Sequence, residues 1–125
     1  MITLTIPGAP RTKKNHGRRV HAGGRVLTMP SLAWQEWCDA VAPQIRAWAL
    51  RNRVQPIARP VNCAALFYRD ALRGDAVGFY QGLADVLEKA GIVENDKFIV
   101  SWDGSRLRKD AARPRVELVL TTTEN

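Results

Sequence analysis

Asp75-Ala76-Val77-Gly78-Phe79-Tyr80-Gln81-Gly82-Leu83-Ala84-Asp85-Val86-Leu87-Glu88-Lys89-Ala90-Gly91-Ile92-Val93 is the stretch on which the reading of the chain turns. Asp75 stands at a helix N-cap, where its carboxylate can accept a free backbone N–H. At about 100° per residue, Phe79, Leu83, Val86, Leu87 and Ala90 fall on one face, and Gly78, Gln81, Gly82, Asp85 and Lys89 on the other. Gly91 ends the helix, because a left-handed residue is the usual stop. The segment is therefore an amphipathic helix that needs a sheet to cover.

Working outward, Val61 to Arg69 is uncharged up to its last residue and partly β-branched and aromatic, as a central strand should be, and Asp70 to Gly74 is a turn. After the helix, Ile92-Val93 and Phe98 to Trp102 read as short strand pieces separated by Glu94-Asn95-Asp96, with Asp103-Gly104 a turn signal. Val116, Leu118 and Leu120 alternate in a last strand, and Ile2, Leu4 and Ile6 in a first one closed by Pro7-Gly8-Ala9-Pro10. Arg11 to Arg25 reads as a loop. A helix over about 31–53 follows, started by Thr28 or Ser31 with Pro30, and it carries Trp34, Trp37, Cys38, Val41, Ile45 and Trp48 on one stripe that is core or interface. Pro43 lies opposite that stripe, where a kink is tolerable. The order β-α-β-α-β-β predicts a single α+β domain over 1–125, a mixed β-sheet with two helices on one face.

The 125 residues, 46% hydrophobic and 25% charged, have the proportions of one folded globule. No charge-free run exceeds ten residues (Met1 to Pro10, Val26 to Gln35), far short of the ~20 a membrane helix needs. The N-terminus has neither a basic nor an apolar leader region. Cys38 and Cys63 have no C-x-x-C partner and read as buried free thiols, so the expected setting is cytoplasmic.

Charge divides the chain. Residues 1–69 carry eleven Lys and Arg against Glu36 and Asp39, whereas residues 70–125 carry eight against ten acids. The first half points to a polyanionic partner, and without a Lys-rich amphipathic helix nucleic acid is favoured over a membrane surface. Its centre is Arg11-Thr12-Lys13-Lys14-Asn15-His16-Gly17-Arg18-Arg19. Six cations precede Glu36 without an acid among them, and Gly17, Gly23 and Gly24 let backbone approach a phosphodiester chain. Lys13, Lys14, Arg18 and Arg19 are thus the candidate DNA contacts, while His16 and His21 lack a carboxylate neighbour in sequence. There is no G-x-x-x-x-G-K and no G-x-S-x-G, which dismisses P-loop and serine-hydrolase chemistry. In the second half, Asp70, Asp75, Asp85, Asp96 and Asp103 could converge on one sheet edge and offer a hard cation the carboxylate oxygens it prefers, although turns and caps favour Asp anyway.

Asp75, the run Gly82 to Val93 and Glu94-Asn95-Asp96-Lys97-Phe98-Ile99 resemble the central signature of RusA-type Holliday junction resolvases, mostly phage-borne endonucleases. Thr5-Ile6-Pro7-Gly8-Ala9-Pro10, followed by Lys13-Lys14-Asn15 and by a helix after Thr28-Met29-Pro30, resembles that family's opening, so the likeness spans nearly the whole chain. It implies a Mg²⁺-dependent homodimer that cuts four-way DNA junctions by paired nicks. Asp75 and Asp96 would be the catalytic, metal-holding carboxylates, with Asp70 or Asp103 as further ligands. The family's motif of two aspartates followed by a lysine is broken here. Val77 replaces the second aspartate, Gln81 the lysine, and Asn95 the first of two adjacent acids. Either Asp70 or Asp103, with Lys97 or Lys109, takes over, or the chain is a weakened dimer that binds branched DNA without efficient cleavage. A basic RNA-binding module is disfavoured, since no RNP-like aromatic strand is present.

Overall fold

The computed structural model describes residues 1–13, 18–29, 31–72 and 74–123. In chain order the elements are β1 (Ile2–Pro7), β2 (Arg18–Ala22), β3 (Arg25–Met29), α1 (Leu32–Arg51), β4 (Val61–Arg69), α2 (Ala76–Lys89), a 3₁₀ turn (Asp96–Phe98), β5 (Ile99–Ser101), β6 (Arg106–Lys109) and β7 (Arg115–Thr122). The result is a single α+β domain built on a five-stranded mixed sheet with two helices. Strand order is β1-β7-β4-β5, with β6 also on β4. β7 runs antiparallel to both β1 and β4, while β5 and β6 run parallel to β4.

The period-two patterns set which sheet face is covered. Leu4 and Ile6 of β1, Val61, Cys63, Ala65 and Phe67 of β4, and Val116, Leu118 and Leu120 of β7 are all buried, and the register aligns them, with Leu118 between Leu4 and Ala65. Both helices fill that same core, α1 with Trp34, Trp37, Cys38, Val41 and Ile45, α2 with Phe79, Leu83, Val86 and Leu87. Each of these large side chains contributes about 1.5–3 kcal/mol when fully buried. Trp34 and Trp37 are buried in this chain's own core, and Trp48 is half-buried against it, so most of the aromatic stripe is core.

Three expectations change. The segment read as a loop over 11–25 contains most of a separate hairpin, β2 with β3, closed by Gly23-Gly24 at φ +56° and +76°. Two left-handed residues are what a tight two-residue hairpin turn demands, so the Gly-Gly pair is the signal for it in the sequence. Ile92-Val93 is not a strand but a single bridge, Val93 to Ile57, with Ile92 and Val93 fully buried. β6 has no counterpart in the sequence pattern, because Arg-Leu-Arg-Lys has one apolar residue and sits at a sheet edge where cations are tolerated. The helix predicted over 31–53 runs Leu32–Arg51 in one piece through Pro43, which is exposed, so water can satisfy the carbonyl it leaves unpaired. Among the described residues no helix is long and apolar enough to cross a membrane.

Candidate functional site

Gly78 and Gly82, one turn apart on α2, form a groove in which residues 11–13 lie. A Cβ at Gly82 would stand 2.8 Å from the Arg11 carbonyl oxygen and 3.1 Å from the Trp34 indole nitrogen, and one at Gly78 would stand 3.2 Å from the Thr12 methyl. Ser31, the α1 N-cap, ties the same segment down. Its hydroxyl donates to the Thr12 carbonyl (3.0 Å) and accepts from the Trp34 amide (3.2 Å), while its amide donates to the Lys13 carbonyl (2.9 Å). The Trp34 indole N–H donates to the Gly82 carbonyl at 3.2 Å. Two helices and the segment after β1 are thereby locked together. The consequence is a fixed place for Lys13: its ammonium lies 2.7 Å from Asp85 Oδ2 and 5.2 Å from the centre of the Trp34 ring.

Lys13 and Asp85 line a cleft of about 540 Å³, together with Val77, Tyr80, Gln81 and Asp96. Val77, Gln81 and Asp85 recur every four residues, so one face of α2 forms a wall. Asp96 comes from the opposite side, at the start of the 3₁₀ turn, where Asn95 caps by accepting from the Lys97 amide (2.9 Å). Glu88 Oε1 accepts the Asp96 amide proton at 2.9 Å and so pins the turn to α2. The Asp96 carboxyl is raised above its ordinary value by loss of water at the wall, by the negative charge of Glu88, and by a hydrogen bond and charge from Asp85. Lys13 opposes this.

Of the four carboxylates expected at a metal, the structure brings Asp96 into the cleft. Asp75 is exposed at the α2 N-cap, with Oδ1 accepting from the Val77 amide at 3.1 Å, and does not line the cleft. Asp70 is exposed in the turn after β4, and Asp103 is exposed in the segment between β5 and β6. Neither lines the cleft. Asp85, named in the sequence only as one of five aspartates, is the partner of Asp96. Its i, i+4 spacing from Gln81, on the wall that Val77 begins, was the signal available. Lys13 is the cation that lines the cleft among the described residues, whereas Lys97 lies over the Phe98 ring and Lys109 borders a different depression. Lys14 falls outside the described residues, and of Arg18 and Arg19 only the backbone, in β2, is described.

Among the described residues no three of His, Cys, Asp and Glu form a cation cage. The Asp85–Asp96 pair nonetheless suits Mg²⁺, which commonly takes one or two protein carboxylates and completes its shell with water and substrate phosphate. Compared with known proteins, the chain matches no protein-family model and no curated protein.

Proposed function

We propose that this protein is a Mg²⁺-dependent, structure-selective DNA endonuclease acting on four-way junctions. The observation that carries the reading is the cleft in which Asp85, Asp96 and Lys13 meet on a strongly basic chain. Asp85 and Asp96 would hold the ion, which when bound polarises the scissile phosphate and acidifies its attacking water. Lys13, held by Asp85 and Trp34, is placed to meet the negative charge that develops on phosphorus-bound oxygens. Paired nicking would require two copies of the chain.

A second reading has its own support. Val77, where the resemblance expects a carboxylate, is an apolar part of the cleft wall, and Asp75 lies outside that wall. A dimer that binds branched DNA and cuts it poorly would look the same. Incubating an end-labelled four-way junction with the protein and Mg²⁺, with EDTA as control, separates them. Symmetric Mg²⁺-dependent nicks establish the nuclease, and a shifted but intact junction establishes the binder.

A further inference from the structure

Tyr80 of α2 and Trp102, just after β5, lie face to face, with ring centroids 4.6 Å apart and planes within 7°. Both rings are half-buried, and both line the acidic cleft. Tyr80 also lines a second depression, of about 670 Å³, whose other wall includes Arg106, Arg108 and Lys109 of β6. These three cations are exposed and make no ion pair among the described residues. The stack is therefore the ridge between a carboxylate cleft and the β6 edge, whose cations flank it on both sides, Lys109 with Leu107 on the helix-covered face and Arg106 and Arg108 on the open one.

The backbone around Trp102 is held with unusual thoroughness for an interruption between two short strands. Asn62 Oδ1 accepts from the Ser101 hydroxyl (2.7 Å) and the Asp103 amide (2.8 Å), and Asn62 Nδ2 donates to the Asp103 carbonyl (3.1 Å). Ser105 closes the other side. Its amide donates to the Trp102 carbonyl (3.0 Å), and its hydroxyl accepts from the Ala65 amide (2.9 Å) and donates to the Cys63 carbonyl (3.0 Å). Two side chains thus replace the missing rungs between β4 and its neighbour and fix the backbone that carries the indole, whose ring rests on Tyr80. A rigid ring keeps little conformational entropy to lose on binding, which is what a stacking surface needs.

We propose that the Tyr80–Trp102 stack is a platform for an unpaired nucleobase, with Arg106, Arg108 and Lys109 holding the phosphates beside it. The inference rests on the nucleic-acid reading above and adds to it a preference for unpaired DNA. Phosphates are drawn to β6 and repelled by Asp85 and Asp96, so a strand following β6 turns its bases towards the ridge. A base inside a duplex has both faces covered by its neighbours, and only an unstacked one can offer a face to the rings.

The test compares a dT oligomer with a fully paired duplex of equal length, by fluorescence anisotropy without Mg²⁺, for wild type, Trp102→Leu and Trp102→Phe. Leucine keeps apolar packing against Tyr80 but removes the π face. Trp102→Leu is expected to weaken binding of the dT oligomer by about 5- to 150-fold, leave the duplex within about two-fold, and be largely rescued by phenylalanine. Equal losses on both DNAs, or none on the oligomer, would overturn the platform. Should Trp102→Leu not fold, the surface variant Arg106→Gln/Arg108→Gln is read instead. Its slope of log K against log salt for the oligomer should fall by about 1.4, at about 0.7 per phosphate released, and an unchanged slope overturns the proposal. A selective loss in a protein that never cuts supports the platform and removes the nuclease alone, while failure to bind any DNA removes both.

Discussion

Asp75 and Asp85 divide the carboxylate question at the level of single residues. Asp75 spends one oxygen on its helix cap, whereas Asp85 faces Asp96 across the cleft with Lys13 beside it. If the cleft does the chemistry, Asp85→Asn and Asp96→Asn should each lower Mg²⁺-dependent nicking by at least about 100-fold with junction binding retained, because the loss falls on the transition state. Asp75→Asn should keep most activity, since asparagine caps as well as aspartate does. A severe Asp75→Asn would return the site to the arrangement that the family resemblance implies. Asp96 also predicts a pH response. Its carboxyl should titrate, by NMR, above the ordinary value of 3.8, and Glu88→Gln should bring the midpoint down. Because the folded value is the raised one, the favourable contribution of Asp96 is complete below the unfolded pKa and is lost as pH rises through the folded pKa. Removing the Glu88 charge should therefore raise the melting temperature above that window and do little below it.

Among the elements, α2 is the one that organises the site, and it does so with the glycines that an amphipathic reading assigns to its polar face. Gly82 is buried, and the space for its missing Cβ is occupied by the Arg11 carbonyl and Trp34. Neither is the loose end of a flexible side chain, so Gly82→Ala should cost about 1–3 kcal/mol in denaturant unfolding despite alanine's better helix propensity. Gly78→Ala, whose nearest neighbour is a methyl at 3.2 Å, should cost less. The β2–β3 hairpin is the second element with a measurable role. Arg18, Arg19 and Arg25 lie on its strands with no acid in between, and Lys13 is already committed to Asp85. Changing these three arginines to alanine should reduce the slope of log K against log salt for duplex DNA by about 0.9 for each phosphate the protein no longer neutralises. An unchanged slope would place duplex binding elsewhere.

For the molecule as a whole, one core joins both helices to the sheet, and the two thiols report on it. Cys38 of α1 and Cys63 of β4 are buried in the same cluster, and burial pushes the Cys63 thiol up to about 12 and raises Cys38 as well. Thiolate is the reactive form, so at pH 8 neither should react with a disulfide reagent in the native state. Both should be modified together as denaturant unfolds the chain, with one midpoint shared by circular dichroism. Early labelling of Cys38 alone would show that α1 detaches as a separate unit.

The alternation in β1, β4 and β7, the stripes of α1 and α2, the Asp75 cap and the Gly91 stop were all legible in the amino-acid sequence, because each depends on side-chain spacing within about four residues. That local chemistry determined one α+β domain, its buried face and its basic first half. The meeting of Asp85 with Asp96, the arrival of Lys13 beside Asp85, and the Tyr80–Trp102 ridge join residues from separate elements, and only the packing of those elements decided them. Two glycines and a serine cap let residues 11–13 lie against α2 and bring Lys13 to Asp85, and Glu88 pins the turn that carries Asp96 to the same helix. Their effect depends on what fills the space beside them, and no single-chain periodicity carries that information.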